Sequence, residues 1–572
     1  MFKLFKEMDL KYVALGIFLS AIRVAGMVAL PTITANIIDF GVMEGDMNYI
    51  FQQGMLMMAI TVASILFAVG SAYINATQSQ GLGEKLRNRA FVKIVNFSNE
   101  DLDEFGTASL ITRTTNDVMQ LQFVMLHLLM MLGLDPFLIL GSGIIAFIRE
   151  PQLAMVFLVS APLLAIAIYF IIKSVRPLFR KLQLQTDFLN RIFREGLTGV
   201  RVVRAFNKTE YEENRFGAEN EGFRELSVSA HFRLALFMPV MIFVMSLTNI
   251  LIVWFGSRLV GSGQMLIGNM VAFLTYAGLL MTGIMLLAQV LSFMPRGQIA
   301  AERIMAVLNH KSSINDDEHP ESISNDPIQL TFDQVDFRYP GAEKLALKDL
   351  SFEMNAGETL AIIGGTGAGK TSLANLMVRL YDIESGEIRL NGTNIEHLSQ
   401  YELREKIGFA PQTPVLFSGT IRENLSYGRT DATDEEIWAA LEVAQGAGFV
   451  RGLGDGLDSR VEHSGGNFSG GQRQRLSIAR ALVTDADLLI FDDSFSALDF
   501  KTDANLRAAL KPVTEDKAVV IIAQRISTVV DSDQIIVLDN GDVVGKGTHE
   551  ELKQSNQIYQ EIMNSQMKGD EL

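Results

Sequence analysis

Six long apolar stretches fill the first half of this chain and restrict its fold more than any other feature. About 20 apolar residues cross a bilayer as a helix. Stretches of that order fall at residues 12–38, 50–74, 121–147, 153–172, 234–260 and 270–291. Their connections alternate in character. Residues 39–48 are short and acidic, Arg149-Glu150-Pro151 follows the third stretch, and Gly261-Ser262-Gly263 follows the fifth. The second and fourth connections are long and basic. One carries Lys85, Arg87, Arg89, Lys93 and Arg113; the other carries Arg176, Arg180, Lys181, Arg191, Arg194, Arg201, Arg204 and Lys208. Basic connections stay in the cytoplasm, which assigns both ends of this half to that side. No proline falls between Pro31 and Pro136 or between Pro177 and Pro239, so nothing there forces a helix to stop. Both connections therefore read as membrane helices prolonged into the cytosol, with turns expected at residues 100–109 and 206–214. Arg23 and Asp135 lie within spans, where charge is costly; each should face a cavity or a partner, or else snorkel to the interface.

The chain has 572 residues, 48% of them hydrophobic, yet a net charge of −16. Those facts coexist when apolar and acidic residues are segregated into membrane and soluble parts. The acidic balance argues against nucleic acid as a partner. Cysteine is absent, which excludes disulfides and thiolate metal sites and suits a reducing compartment or a bacterial membrane. The first apolar stretch is too long for a cleavable signal and lacks a small-residue cleavage site. Composition flips at residues 310–326, HKSSINDDEHPESISND, a polar, breaker-rich run that marks a boundary. It separates a membrane domain, 1–309, from a soluble α/β domain, 327–572.

The soluble half is organised around TLAIIGGTGAGKTSLANLMVRLYD. Leu360-Ala361-Ile362-Ile363 suits a buried parallel strand, and Leu373, Leu376, Met377 and Leu380 fall at helical spacing. Between them Gly364, Gly365, Thr366, Gly367, Ala368, Gly369, Lys370, Thr371 and Ser372 match a phosphate-binding loop in its required strand–helix context. Glycine lets backbone N–H groups curl around phosphate oxygens, and the helix start favours the same anion. Lys370 can reach the β- and γ-phosphates, and Thr371 can place its hydroxyl on Mg²⁺.

Later motifs carry a resemblance. Ser469-Gly470-Gly471-Gln472, followed by Arg473-Gln474-Arg475, resembles the signature of ATP-binding cassette (ABC) ATPases. Leu488–Asp492 with Asp493 resembles their Walker B strand, Ser496-Ala497-Leu498-Asp499 their D-loop, Gln412 their Q-loop glutamine, and Tyr339 the aromatic that stacks on adenine. Six spans with two long cytoplasmic extensions are similar to the exporter-type membrane half, so the resemblance covers the whole chain. It implies an all-α six-helix membrane domain fused to an α/β P-loop ATPase, with ATP and Mg²⁺ as cofactors. Thr371, Gln412 and Asp492 would hold the metal. In that family the signature closes on nucleotide held by a facing domain, which implies a partner for a chain carrying one such domain.

Two positions depart from the pattern. Asp493 stands where the family's catalytic Glu is usual, and Ile521-Ile522-Ala523-Gln524-Arg525 places Gln524 where the switch His is usual. Asp is one methylene shorter, and a displacement of about 1 Å can cost on the order of 100-fold in rate. Gln can donate a hydrogen bond but cannot become cationic. The signature is nearly intact, with Phe468 in place of the usual Leu. This asymmetry resembles one subunit of heterodimeric bacterial multidrug exporters. The implied picture is a degenerate site formed by Tyr339, the glycine loop, Gln412, Asp492, Asp493 and Gln524. Ser469, Gly470, Gly471 and Gln472 would serve the hydrolytic site of a second ABC half-transporter, which brings its own Glu and His. The expected cargo is an amphipathic compound, in particular a drug, moved out of the cytoplasm across a bacterial cell membrane. A lipid or peptide flippase and a non-transporting ATP-sensing subunit are the alternatives.

Overall fold

The computed structural model describes residues 2–324 and 326–567, and the chain divides into two compact units. The first comprises Met1–Val95 and Thr107–His310; the second comprises Asn96–Gly106 and Lys311–Leu572.

Among the described residues the first unit has six helices long and apolar enough to cross a membrane: α1 (Leu10–Val42), α2 (Met47–Val95), α4 (Thr107–Arg149), α5 (Pro151–Thr198), α7 (Thr209–Gly261) and α8 (Ile267–Asn309). At 1.5 Å per residue, the 49 residues of α2 run roughly 70 Å, more than twice the hydrocarbon thickness of about 30 Å. The long basic connections are thus continuous with the membrane helices. Each helix pair meets through a short connecting helix. The first is α3 (Asn99–Phe105), opened by a capping box in which Ser98 and Asp101 bond each other's backbone N–H, and closed by Gly106 at φ 72°. The second is α6 (Val200–Ala205). It lies upstream of the turn expected at 206–214, because the break is confined to residues 206–208 and α7 begins at Thr209. Asn207 adopts φ 52°, its N–H bonds the Arg204 carbonyl, and the Lys208 N–H bonds the Val203 carbonyl. That double bond pattern around a left-handed residue ends a helix sharply.

Asp135 is buried inside α4 at 2% exposure, and its Oδ2 has no hydrogen-bond partner among the described residues; Arg23 is half-buried on α1.

The second unit carries two main sheets. Strands β1 (Gln329–Phe337), β2 (Leu347–Asn355), β4 (Ser385–Leu390) and β5 (Thr393–Asn394) form a four-stranded antiparallel sheet in the order β2-β1-β4-β5. A six-stranded sheet is built from β3 (Thr359–Gly364), β6 (Ile407–Ala410), β9 (Leu488–Asp492), β10 (Ala518–Ala523), β11 (Gln534–Asp539) and β12 (Asp542–Gly547), in the order β12-β11-β3-β10-β9-β6. Its strands are parallel except β12. A short antiparallel ribbon pairs β7 (Gly419–Thr420) with β8 (Arg460–Val461). Alternate side chains point to opposite faces of a strand, and both faces of the six-stranded sheet are covered. Leu360, Ile362, Ile490, Val520, Ile522 and Ile536 pack toward the antiparallel sheet and α9 (Lys370–Met377). Ala361, Ile363, Leu489, Phe491, Val519 and Ile521 pack toward α10 (Gly470–Val483) and its neighbours. Helix α11 (Ile526–Val529) follows β10, and α12 (Gln557–Met567) closes the described part after β11 and β12.

Residues 311–324 pack onto this unit. Ile314 and Ile323 are buried, Ser312 and Ser313 bond Asp101 and Ser98, and Asp316 accepts from the Gln400 backbone. Helix α3 joins the second unit through those same serines, although its sequence lies in the apolar half.

Candidate functional site

Strand β3 delivers the chain to Gly364, where a Cβ would sit 2.3 Å from the Leu538 carbonyl oxygen of the adjacent strand. Only glycine fits there. Gly369 then takes φ 104°, a left-handed turn that aims the backbone into α9. Lys370, the first residue of α9, donates from Nζ to the carbonyls of Gly364 and Gly365 at 2.8 and 2.7 Å. Burial pushes its ammonium below the usual range, and the carboxylates of Asp493 and Asp492 oppose that shift. The loop therefore concentrates donors and one cation at a helix start, an arrangement that fits a polyphosphate.

Strand β9 places Asp492 at its end, 2% exposed. Its carboxyl is raised to about 6, chiefly by burial, with Asp493 adding to the shift and Thr371 and Lys370 opposing it. Thr371 Oγ1 lies 3.4 Å from Asp492 Oδ1. Hydroxyl, carboxylate and the Gln412 amide are oxygen donors of the kind Mg²⁺ prefers.

Asp493 sits one residue beyond β9 at φ 47°, held there by its N–H to the Ile522 carbonyl at 2.9 Å. Its Oδ2 accepts two amides: Gln524 Nε2 at 2.9 Å and Gln412 Nε2 at 3.4 Å. Burial is the largest influence on its carboxyl and raises it; Gln412 and Lys370 pull it back. Tyr339 bonds Ser372 Oγ at 2.8 Å and meets the rings of Phe337 and Tyr381 edge-on, at centroid distances of 4.8 and 5.3 Å.

These residues surround one cavity of about 850 Å³, lined by Tyr339, Thr366, Gly367, Ala368, Gly369, Lys370, Thr371, Ser372, Gln412, Asp492, Asp493 and Gln524. Sequence reasoning misses part of the rim: Arg338, Glu343, Lys344, Lys348 and Asn540. Asn540-Gly541 is a readable hairpin turn between two apolar runs, but nothing local shows that β11 runs beside β3.

Ser469, Gly470, Gly471 and Gln472 do not line this cavity. Helix α10 starts at Gly470, because Ser469 and Gln472 form a capping box: Ser469 Oγ accepts from the Gln472 N–H, and the Ser469 N–H donates to Gln472 Oε1 at 2.8 Å. The glycines are the first turn of the helix, and the two side chains satisfy its leading N–H groups.

Two family models match the chain, one for the ABC transporter transmembrane region over residues 13–285 and one for ABC transporter over residues 347–496. An uncharacterized ABC transporter ATP-binding protein of Mycobacterium tuberculosis is 38% identical over 560 residues, covering 97% of this chain and 96% of that protein. The ATP-dependent lipid A-core flippase of Desulfotalea psychrophila is 32% identical over 534 residues, 93% and 92% of the two chains. The solved structure of a bacterial Atm1-family ABC exporter with ATP bound matches with a TM-score of 0.81 at 25% identity, over 97% and 98% of the two chains.

Proposed function

Because this chain belongs to the ABC transporters, as a half-size exporter with membrane and ATPase domains fused, we propose that it is the degenerate half of a heterodimeric exporter. It binds ATP in its own cavity with little turnover, and lends its signature to the hydrolytic site of a second half-transporter. The observation that carries this reading is the Asp493 carboxylate, whose Oδ2 already accepts the amides of Gln524 and Gln412. A carboxylate shorter than Glu and engaged by two donors is a poor base for an attacking water. Gln524 cannot supply the cationic contact that a switch His can.

ATP supplies the free energy, and Mg²⁺ neutralises its phosphate charge. On the protein side, Lys370 and the loop from Gly364 to Gly369 hold phosphates, and Tyr339 offers its ring to the base. Thr371, Gln412 and Asp492 hold the metal, and Ser372 anchors the Tyr339 hydroxyl. Ser469, Gly470, Gly471 and Gln472 serve the partner's nucleotide in trans. The membrane domain spans residues 1–309 with both termini cytoplasmic, and residues 310–326 link it to the ATPase domain, 327–572. Helices α3 and α6 interrupt the long helices that cross the membrane, so their movement on domain closure re-aims those helices. A nucleotide drives that switch only through different affinities for the two states.

The cargo is an amphipathic compound; the lipid A-core flippase relative brings lipids within the range to be tested. The decisive experiment measures ATPase activity of the full-length chain alone and with a partner bearing Glu and His. Slow turnover alone and brisk turnover of the pair, abolished by Ser469→Arg, is the expected result. Fast turnover by the chain alone rejects the degenerate site, and an S469R pair with unchanged activity rejects the trans role. Efflux of dyes against labelled lipids assigns the cargo class.

A further inference from the structure

Strand β10 ends at Ala523, whose last ladder pair is Ile363. Residues 524–526 run on from the strand end, and a side chain takes the place of a neighbouring strand. Gln566, near the end of α12, donates from Nε2 to the Gln524 carbonyl at 2.7 Å and accepts the Ile526 N–H on Oε1 at 2.8 Å. A carboxamide carries the donor and acceptor of a peptide group. These two bonds therefore reproduce one rung of a parallel ladder, which bonds the residues on either side of a skipped one. The skipped residue is Arg525.

The groups on either side of this rung are fixed. Helix α12 is anchored by Tyr559, fully buried with its hydroxyl 2.7 Å from His549 Nδ1, and by Ile558, Ile562 and Met563 against the core. On the cavity side, Gln524 reaches Asp493 at 2.9 Å. Arg525 donates to the Ser496 carbonyl at 3.3 Å and lies 5.2 Å from the Phe500 ring centroid. The peptide frame that aims both side chains is held from behind by Gln566.

We infer that Gln566 is a positioning residue for the nucleotide site, and that α12 is the element that sets the switch segment. The inference rests on the proposed nucleotide site, with Gln524 at its switch position, and takes the Gln524 amide as the group that meets the terminal phosphate. Without the clamp, the Gln524 carbonyl and the Ile526 N–H lose their partner, and the amide of Gln524 is no longer held toward Asp493. Loss of aim should be felt by the terminal phosphate and not by the rest of the nucleotide.

The test compares MgATP and MgADP affinities of the full-length chain in lipid nanodiscs for wild type, Gln566→Leu, Gln524→Ala and the double variant. The expected result is an ATP-over-ADP preference lowered about 5-fold in Q566L, ADP affinity unchanged, and no further loss in the double variant relative to Q524A, the coupling expected of residues acting as a unit. Gln566→Glu, which keeps the acceptor and loses the donor, should behave like Q566L and guards against a packing artefact of leucine. A preference lowered by Q524A but untouched by both Gln566 variants overturns the clamp and leaves the switch reading intact. A preference untouched by Q524A overturns both. An equal loss of ATP and ADP affinity in Q566L reduces Gln566 to a structural role and overturns the inference.

Discussion

Gln524 and Asp493 are joined side chain to side chain, Nε2 donating to Oδ2 at 2.9 Å, while Gln412 approaches the same oxygen at 3.4 Å. The three side chains come from three separate segments, after β10, after β9 and after β6. On the proposed reading, this amide quiets the carboxylate that stands where the family's catalytic Glu is usual.

Restoring the family pattern should restore chemistry only in combination. Asp493→Glu alone extends the carboxylate but leaves the Gln524 amide beside it, and Gln524→His alone leaves the carboxylate short. The double variant should raise ATP turnover at the cis site by at least about tenfold, since correct placement of one group can be worth on the order of 100-fold. Phosphate release by the full-length chain, alone and with the proposed second half-transporter, checks this. Full recovery from D493E alone would show that Gln524 has no part in the defect.

Asp492 makes a separate claim on stability. Its folded carboxyl is raised to about 6, above an unfolded value near 3.8, so between those values the folded state binds the extra proton. Stability from this group is present below the unfolded value and is lost as pH rises through 6. At neutral pH it is a burden on the nucleotide-free protein. Asp492→Asn should therefore raise the melting temperature of the nucleotide-free chain at pH 7, with a stability gain of about 3 kcal/mol for a carboxyl displaced this far. The gain should fade toward pH 4. A gain that is constant across pH would assign the effect to packing instead.

Helix α3 is tied to the segment that follows α8. Asp101 accepts from Ser312 Oγ at 2.5 Å and from the Ser313 N–H at 3.3 Å, while also closing the capping box with Ser98. Asp101→Ala removes the reciprocal N-terminal cap and both tethers. Loss of such a cap costs about 1 kcal/mol, and the local helix frays. ATP binding should persist, because the cavity residues are untouched, while ATP-driven transport by the pair should fall several-fold. Transport and nucleotide binding measured on the same preparation distinguish this from global unfolding, which would lower both.

How much can be read in advance follows from how local each signal is. The apolar stretches reveal the six spans, because span length is a property of contiguous residues. The glycine loop and the run ending at Asp492 reveal β3, α9 and β9, because phosphate binding needs a fixed spacing. The end of α6 is not legible, because it depends on Asn207 alone entering a left-handed conformation. The membership of α3 in the second unit is equally hidden: it rests on Ser98 and Asp101 meeting Ser312 and Ser313, more than 200 positions away in the chain. Gln566 escapes sequence reasoning for the same reason, since a glutamine at the end of an amphipathic helix has no periodic signature of its own.

One close approach in the membrane unit yields a sharp test. The Gly268 N–H donates to Asp39 Oδ1 at 2.6 Å, joining the start of α8 to the last turn of α1. A Cβ at 268 would lie 2.3 Å from the Ala35 carbonyl oxygen and 2.5 Å from Asp39 Oδ2. The carbonyl is backbone and cannot rotate aside, so Gly268→Ala must push the two helices apart and weaken the buried Asp39 bond. An unpaired buried carboxylate costs more than a neutral group, so the loss should be about 2 to 4 kcal/mol. Thermal unfolding in detergent should show it, and the accompanying Asp39→Asn change should recover part of it by removing the charge. A G268A protein as stable as wild type would mean that α1 and α8 are not held at this distance.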